Sequence, residues 1–490
     1  MQSKRRRILI QSHEFSTAHL QALAREGFEV VALVQGRLDG LEHVSLRELY
    51  QGSARLREYA AQVPAPPPLP DHFVREYGRC ISRVGFLPNG DYFTHAGGEI
   101  LLGDVEDWAA LHWRYAAGLL RAWSIDEVWF WWAPHLGVDQ ALWQAAQDLG
   151  VPCMSLRQLP FVNKFTAIGA RHGVSYRLLP HAAEAWTAGA RKPDLFYMRP
   201  APRRPRHAAL LERGRALLAK GFTQAGRADL LTRAYIGAVR RRWWRWIAVI
   251  EALDPALRPF ARLRRWQRQE WQRGRADRRM VDPGQIREPY VYFALHLEPE
   301  LNADVYGGTF AKQLDALGRI VARLPPGWRL LVKENPKQMF LKRSWAFFER
   351  SRLLQRMDFV PDNANSAALV EGAAVVASLC GTVIYEAMLQ GKCGVYFGEP
   401  WYAGLPGAIR WSEDVDLEAV ASQRVDRTLL DQAVNRWLSA CPDGIVAPRF
   451  DALLPDRGNW QSRATVTAAS LRQLSDALVQ GELADSTRRQ

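Results

Sequence analysis

A short stretch that follows the apolar run YVYFAL is rich in groups able to exchange protons. It holds His296, Glu298, Glu300 and Asp304, and Glu334 follows the next apolar run, RLLV. Carboxyl groups crowded into one crevice can differ in pKa, so that one is protonated while its neighbour is ionised. Transfer of a glycosyl group needs this division, because one carboxyl acts as an acid and another as a nucleophile or a base. The stretch is a candidate catalytic site.

A second polar group marks the segment SLCGTVIYEAMLQG, which predicts a strand that ends near Ser378 and is followed by a helix. Gly381 and Thr382 lie at that junction, where backbone N–H groups and the helix dipole favour an anion such as a phosphate. Glu386 lies one turn further along the same face and could accept hydrogen bonds from ribose hydroxyls. The residues also allow a structural interpretation, in which Thr382 only caps the helix and Glu386 faces solvent.

Charged residues also follow the run RLLV. Lys333 and Lys337 flank Glu334, Asn335 and Pro336. A lysine at the end of a buried strand can neutralise a phosphate leaving group as a point charge. The alternative is a structural ion pair between Lys333 and Glu334, which is the commoner situation for an isolated pair of this kind.

The familiar cofactor and metal motifs are absent from the sequence. It has no GxGxxG motif, Walker A loop, GxSxG elbow or HExxH motif, which argues against oxidoreductase, kinase and hydrolase activities. The five cysteines form no C-x-x-C pair, so neither a zinc ribbon nor a disulfide framework is predicted. Asp414 and Asp416 match the DxD pattern of metal-dependent transferases but lie in an acidic loop away from the predicted crevice, and we interpret the match as chance. We therefore expect no metal and no cofactor.

Strands and helices must alternate in two parts of the chain to position these residues. Apolar runs separated by amphipathic stretches occur first in RRILIQ, FEVVALV, VWFWW and VPCMSLRQL, and again in YVYFAL, RLLV, AAVVASLC and CGVYFG. The alternation is typical of parallel, doubly wound sheets, in which ligands bind beyond the carboxyl ends of the strands. His13 and Glu14 follow the first strand and His135 follows VWFWWAP, so these residues are also expected at a crevice.

The predicted fold class is α/β. Two such halves joined by a linker form the GT-B architecture, in which two Rossmann-like domains face a crevice, here with a basic helical insertion between them. The 490 residues fit two to four domains. We expect an N-terminal Rossmann-like domain at 1–185, a basic helical segment at 186–287, a C-terminal Rossmann-like domain at 288–430 and a helical tail at 431–490.

The positive charge is concentrated in the predicted insertion. The chain has a net charge of +14, and residues 191–290 alone hold 25 Lys and Arg against 9 Asp and Glu. The segment TRAYIGAVRRRWWRWIAVIEAL puts aromatic side chains and arginines on different faces of a helix, which suits the surface of an anionic membrane. An ordinary core-facing helix with a solvated basic face is equally compatible. Nucleic acid is not expected as a partner, because no nucleic-acid-binding motif accompanies the charge.

The location follows from what the sequence lacks. The basic start MQSKRRRILI has too short an apolar run for a signal peptide, and no stretch reaches the ~18 apolar residues of a membrane span. The unpatterned cysteines fit a reducing compartment. We expect a cytoplasmic protein that is soluble or peripheral on a membrane.

The ordered motifs at 290–405 resemble the capsule polysaccharide biosynthesis family, which includes retaining β-Kdo transferases of the Kps capsule-linker type and of an O-antigen-capping type. The family pattern is a strand followed by LHxxPE and an Asp, then VKEHP, then GTxxEAxxGKP and FG. The matching residues here are His296, Pro299, Glu300, Asp304, Lys333, Glu334, Pro336, Gly381, Thr382, Glu386, Ala387, Gly391, Lys392 and Gly398. Asn335 and Cys393 depart from the pattern, which has histidine and proline at these positions.

The resemblance implies a GT-B enzyme that takes Kdo from CMP-Kdo without a metal and retains the anomeric configuration by double displacement. Asp304 would be the nucleophile, with Glu300 and His296 also catalytic. The set that would bind the nucleotide sugar is Lys333, Glu334, Asn335, Ser378, Gly381, Thr382 and Glu386. The set that would face a lipid- or glycan-linked acceptor is Gln11, His13, Glu14 and His135.

The two departures leave other functions open. Asn335 can form hydrogen bonds but cannot carry a positive charge as histidine does. A GT-B transferase that uses another nucleotide sugar is therefore an alternative. A catalytically reduced scaffold protein of a polysaccharide-assembly complex is a second alternative, from a different class of function.

Overall fold

The structure is a computed structural model, and it describes residues 5–11, 17–34, 43–45, 58, 60–84, 102–135, 137–161, 163–171, 174–178, 280–298, 301–335, 345–447 and 460–480. Three predicted site residues, His13, Glu14 and Glu300, lie outside these ranges. Nearly all of the predicted basic insertion does so as well. Within the described ranges, no helix is both long enough and apolar enough to cross a bilayer.

The first domain is built on a sheet of seven described strands. The strands are β1 (Arg6–Gln11), β2 (Phe28–Val34), β3 (His43–Ser45), β4 (Glu127–Phe130), β5 (Cys153–Gln158), β6 (Phe165–Arg171) and β7 (Val174–Leu178). Their order across the sheet is β3-β2-β1-β4-β5-β6-β7. Strands β1 to β5 pair in parallel, and β6 and β7 add an antiparallel hairpin at one edge.

Helices cover both faces of this sheet. They are α1 (Thr17–Arg25), α2 (Asp71–Val84), α3 (Leu102–Ala122) and α4 (Val138–Asp148). Because a parallel sheet is covered on both sides, its central strands are continuous apolar runs. Ile8, Leu9 and Ile10 of β1 are accordingly fully buried although their side chains alternate between the two faces.

The second domain has a sheet of six described strands. They are β8 (Tyr290–Ala294), β9 (Arg329–Lys333), β10 (Met357–Val360), β11 (Val375–Ser378), β12 (Gly394–Tyr396) and β13 (Ala408–Arg410). All neighbouring strands are parallel, in the order β10-β9-β8-β11-β12-β13. This is the Rossmann order, in which the direction of winding reverses between the first and fourth strands, here β8 and β11.

The helices of the second domain and the C-terminal helix complete the described chain. They are α5 (Leu301–Asp304), α6 (Gln313–Arg323), α7 (Trp345–Ser351), α8 (Ser366–Gly372), α9 (Thr382–Leu389), α10 (Leu417–Ser422), α11 (Arg427–Ala440) and α12 (Trp460–Gln480). Helix α12 returns to the first domain, where Arg472 donates a hydrogen bond to the carbonyl oxygen of Glu26 at 2.8 Å. Its Leu471, Leu474 and Leu478 are buried in the first domain's core.

The carboxyl ends of the two sheets face each other. Ala133, which follows β4, and Leu159 and Phe161, which follow β5, are buried within the core of the second domain. Arg157 in β5 reaches across and donates a hydrogen bond to the carbonyl oxygen of Glu399, after β12, at 3.2 Å. The prediction of two Rossmann-like domains that face a crevice, the GT-B arrangement, is confirmed.

Candidate functional site

His296 lies at the point where the strand order of the second domain reverses. It follows β8, and its imidazole Nε2 lies 3.2 Å from Ser378 Oγ and 3.3 Å from the backbone nitrogen of Cys380, both at the end of β11. The Ser378 hydroxyl also lies 2.9 Å from the carbonyl oxygen of Ala294, to which it donates. The Cys380 N–H donates to Nε2, whereas the Ser378 hydroxyl, which gives its proton to Ala294, can only accept from Nε2, so the two contacts call for different tautomers of the ring.

Gln313, at the start of α6, holds the backbone of His296 from both sides. Its Oε1 accepts from the backbone N–H of His296 at 2.7 Å, and its Nε2 donates to the His296 carbonyl oxygen at 3.1 Å. The same Nε2 donates to Glu298 Oε2 at 3.1 Å. Gln313 is fully buried, so these bonds compete little with water. One side chain therefore fixes both the histidine and the acidic loop that follows it.

Replacing Gln313 by leucine is expected to lower the free energy of unfolding by about 2 kcal/mol. Leucine fills a similar space but removes the partner that the part-buried N–H and C=O of His296 have in Gln313, and each such loss costs ~1–3 kcal/mol. Urea denaturation of Gln313→Leu and of Gln390→Leu, whose glutamine is exposed at the end of α9, measures the difference. Equal stabilities of the two variants would contradict the assigned role of Gln313.

Lys333, at the end of β9, lies beside a buried polar cluster. Its Nζ donates to Ser366 Oγ at 2.6 Å, and Ser366 also forms a hydrogen bond with the Tyr292 hydroxyl. Burial lowers the pKa of Lys333, and the charge of Asp362 opposes that shift. A lysine held in this way supplies a fixed positive charge next to the reversal point.

The start of α9 has no side-chain cap. Its N-cap is Gly381, which provides no side-chain hydrogen bond to the first turn. Thr382 is the first helical residue, and its hydroxyl donates to Glu386 Oε1 at 3.4 Å, so the interpretation of Thr382 as the N-cap is wrong. Burial raises the pKa of the half-buried Glu386, and the bond from Thr382 partly offsets this.

Asp304 is the last residue of the short helix α5 and is half-buried. The Cys380 thiol joins this helix to the reversal point, because its Sγ lies 3.6 Å from the carbonyl oxygen of Asn302. The chain then turns at Tyr306, whose carbonyl oxygen accepts from the backbone N–H of Glu399 at 2.7 Å. A Cβ atom at Gly398 would collide with that same carbonyl oxygen, which explains why a glycine stands there.

The predicted acceptor-side residues within the described ranges lie on the first domain. Gln11 ends β1 and is buried, and its Oε1 has no hydrogen-bond partner among the described residues. His135 follows β4, its Nδ1 lies 2.8 Å from the carbonyl oxygen of Ala133, and its backbone N–H donates to Asp139 at 2.9 Å. These residues stand at the carboxyl ends of adjacent strands.

A pocket of about 420 Å³ opens between the domains. The first domain lines it with residues of α2, α4, β5 and β6, and the second with Val305, Tyr306 and the loop after β12. The Arg157 guanidinium lies over the Tyr306 ring, 4.1 Å from its centroid. This cation–π contact joins the two walls of the pocket.

The structure therefore brings together His296, Ser378, Gly381, Thr382 and Glu386 at one reversal point. Lys333, Glu334 and Asn335 follow the neighbouring strand, where Glu334 Oε1 accepts from the backbone N–H of Asn335 at 2.9 Å. Ser378 is fully buried, and the hydroxyl contacts described for it are to Ala294 and His296. Gln11 and His135 lie across the crevice on the other domain.

Two further motifs have structural explanations. Asp416 of the DxD match caps α10, with its side chain accepting from the backbone N–H groups of Glu418 and Ala419. The Lys392 ammonium donates to the carbonyl oxygens of Val370 and Ala373 at the end of α8. Cys393 precedes β12 and is thus at the opposite end of the sheet from the crevice, so that of the two departures only Asn335 lies near the site.

Sequence reasoning missed Gln313, Ser366, Tyr292 and Arg157. Each acts through a partner distant in the chain, and no local motif marks such a contact. Gln313 comes nearest to being recognisable, because a polar residue stands there at the first position of a helix and is buried.

The comparisons with known proteins give limited information. No family model matches the sequence, and no curated protein does. The chain is similar to the solved structure of the Thermosulfurimonas dismutans KpsC β-Kdo 2,7 transferase, with 14% identity over 74% of this chain and 89% of that chain and a TM-score of 0.32. It is also similar to the Methanocaldococcus jannaschii UDP-GlcNAc 2-epimerase, with 10% identity over 88% of this chain and 99% of that chain and a TM-score of 0.23. Likenesses at these values carry no argument about activity, which rests on the site geometry.

Proposed function

We propose that the protein is a GT-B glycosyltransferase that transfers Kdo from CMP-Kdo to a lipid- or glycan-linked acceptor of a bacterial surface polysaccharide. The observation that carries the proposal is the cluster at the reversal point of the second sheet. There His296, the uncapped start of α9 and the half-buried Glu386 lie within one short region. Nucleotides bind at such reversal points because the strand ends leave a crevice and the helix start attracts phosphate.

The donor is expected to bind across the end of the second sheet. The start of α9 and Lys333 would stabilise the phosphate, which becomes more negative as it leaves. Glu386 would accept from the ribose hydroxyls, and its raised pKa reflects a site partly withdrawn from water. The His296 imidazole would donate a hydrogen bond to the carboxylate of Kdo.

The reaction is expected to proceed by double displacement with retention of configuration. The Asp304 carboxylate attacks the anomeric carbon, and CMP leaves with the electron pair of the broken C–O bond. An acceptor hydroxyl then attacks the same carbon from the opposite side and loses its proton to a base, and the Asp304 carboxylate is released. No metal ion takes part in this scheme.

The acceptor would approach from the first domain. Gln11 ends β1, and His135 follows β4, the neighbouring strand of that domain. The basic Arg/Trp-rich insertion, which lies outside the described residues, would hold the enzyme at the cytoplasmic face of the anionic inner membrane, where a lipid-linked acceptor is found.

A second candidate is a GT-B transferase that takes a different nucleotide sugar. Asn335 favours it, because this residue adjoins the site and lacks the positive charge that the family's histidine can carry. A catalytically reduced scaffold remains the alternative from another class, and nucleotide binding without turnover would be its signature.

A nucleotide panel tests the choice of donor. CMP is expected to raise the melting temperature of the purified protein, while UDP and GDP leave it unchanged, because a ligand at 100 times its Kd adds ~2.7 kcal/mol to the stability. Incubation with CMP-Kdo is then expected to release CMP. Stabilisation by UDP or GDP in place of CMP would transfer support to the second candidate, and no response to any nucleotide would contradict both.

A further inference from the structure

The pocket between the domains is lined in its interior by uncharged polar groups. Its buried polar lining groups, Gln140, Ser155 and Thr166, are all uncharged. Its ionisable side chains other than that of Arg157 are those of His72, Glu76 and Glu399, all of which are exposed. The interior is therefore neutral, and both carboxylates lie at the solvent side.

Two polar atoms in this wall have no hydrogen-bond partner among the described residues. They are Oε1 of Gln140 and Nε1 of Trp401, and the side chains that carry them are 8% and 6% exposed. The other end of the Gln140 amide is fixed, because its Nε2 donates to the carbonyl oxygen of Pro134 at 3.3 Å. Both side chains belong to the lining of the pocket, and a bound ligand or water would satisfy polar atoms that the described residues leave unpaired.

The rest of the lining is mostly apolar and includes several aromatic rings. Tyr306, Trp143, Trp401 and Trp437 contribute to it, and the Trp401 and Trp437 rings stack with their centroids 5.4 Å apart. Flat apolar rings next to hydroxyl and amide groups suit a molecule with C–H faces and hydroxyl edges. The volume of about 420 Å³ falls within the ~300–1,000 Å³ of small-molecule sites.

The only cation described in the lining is already engaged. The Arg157 guanidinium lies over Tyr306 and donates to the carbonyl oxygen of Glu399. With Glu76 and Glu399 also at the solvent side, the pocket offers an anionic ligand no favourable balance of charge. Tyr306 lies two residues after Asp304, so the wall begins next to the proposed nucleophile.

We infer that this pocket binds a neutral sugar residue of the acceptor and thereby presents the accepting hydroxyl to the catalytic site. The inference rests on the proposed function and makes it more specific. It states that the acceptor sugar next to the new glycosidic bond is uncharged. Gln140 would accept from one ring hydroxyl, Thr166 would pair with another, and the Trp401 N–H would donate to a third oxygen.

Matched probes test the charge requirement. Methyl β-D-glucopyranoside and methyl β-D-galactopyranoside are the neutral probes, and methyl β-D-glucopyranosiduronic acid, which differs from the first by a carboxylate, is the anionic one. Saturation-transfer NMR on the full chain is expected to detect at least one neutral glycoside and to give at least tenfold weaker binding for the uronide. Binding of the uronide as tightly as the glucoside, or binding of neither neutral probe, would overturn the inference.

Two variants test the location. Gln140→Leu and Thr166→Val keep the side-chain volume close to the original, and each is expected to weaken binding of the neutral glycoside about fivefold to tenfold. Gln390→Leu is the matched control and should bind as the unchanged chain does. If neither pocket variant alters binding, the glycoside lies elsewhere and the inference is wrong.

CMP binding measured on the same samples separates this inference from the proposed function. Both pocket variants should bind CMP as the unchanged chain does, because the pocket is not part of the donor site. Glycoside binding that follows the expected variant pattern without any CMP binding would support the pocket and contradict the donor assignment. CMP binding and turnover, without the expected effect of the pocket variants on glycoside binding, would support the donor assignment and contradict the pocket.

Discussion

Asp304→Ala is expected to reduce the release of CMP from CMP-Kdo by at least ~1,000-fold while leaving CMP binding unchanged. The variant removes the atom that would form the bond to the anomeric carbon, and loss of a covalent nucleophile has effects of this size or larger. CMP binding should persist, because the phosphate and ribose are assigned to the start of α9, Lys333 and Glu386. Steady-state rates and a CMP titration measure the two quantities.

The control for this experiment is Asp414→Ala. Asp414 belongs to the DxD match and lies on an exposed loop between β13 and α10. It is not one of the residues assigned to the site, so its removal should leave the rate unchanged. Intact mass spectrometry adds a direct readout, since the unchanged chain incubated with CMP-Kdo should carry one covalently attached Kdo and Asp304→Ala should not. A variant at Asp304 that keeps full activity would remove the nucleophile from the proposal.

The sheets could be predicted from the sequence because buried parallel strands are apolar along their whole length. Runs such as RRILIQ and YVYFAL are therefore visible without any knowledge of their neighbours. The hairpin of β6 and β7 was not predicted. Its Ile168 is 42% exposed, and the strand at this edge alternates apolar with polar and small residues instead of forming a continuous apolar run.

The second-domain site could also be placed in part, because strand ends in a doubly wound sheet converge on one edge. That rule locates His296, Lys333 and Gly381 together before any contact is known. It does not supply the contacts themselves. Gln313 is 17 residues from His296, and Arg157 is 242 residues from Glu399, so both interactions depend on tertiary packing that no local pattern records.

The largest expected effect on stability lies away from the crevice, where the C-terminal helix joins the first domain. Glu127 begins β4 and is fully buried. Its carboxylate accepts from Ser475 of α12 at 2.6 Å, from Trp129 Nε1 at 3.0 Å and from Arg6 Nη1 at 3.1 Å. One side chain thus fastens α12 to two strands of the first sheet.

Glu127→Ala is expected to lower the free energy of unfolding by about 3–5 kcal/mol. The variant leaves the Trp129 N–H and the Ser475 hydroxyl without their shared acceptor and removes the carboxyl group that Arg6 contacts, and each buried polar group left unpaired costs ~1–3 kcal/mol. Glu29→Ala removes the exposed partner of Arg7 and should cost less than about 1 kcal/mol. Urea denaturation of both variants gives the comparison, and a small loss in Glu127→Ala would show that α12 is held by its apolar face alone.

The pH dependence of this junction identifies the form of Glu127 that stabilises it. Burial raises the pKa of Glu127, and the bonds from Ser475, Trp129 and Arg6 only partly oppose that shift. A raised pKa in the folded state means that the folded chain holds the proton more tightly than the unfolded chain. The resulting stabilisation is complete below the ordinary value of 4.5 and is lost as the pH rises through the folded-state value.

Glu127→Gln should remove this pH dependence, because the amide resembles the protonated carboxyl and does not titrate. The unchanged chain is therefore expected to lose stability relative to Glu127→Gln as the pH rises from 4.5 to 8, and the two should be most alike at the acidic end. Arg6 keeps a second partner in Asp476, so the amide does not leave the guanidinium without a carboxylate. Unfolding free energies of the two chains, measured across this pH range, test the expectation. If the unchanged chain instead gained stability relative to Glu127→Gln as the pH rose, the carboxylate paired with Arg6 would be the stabilising form.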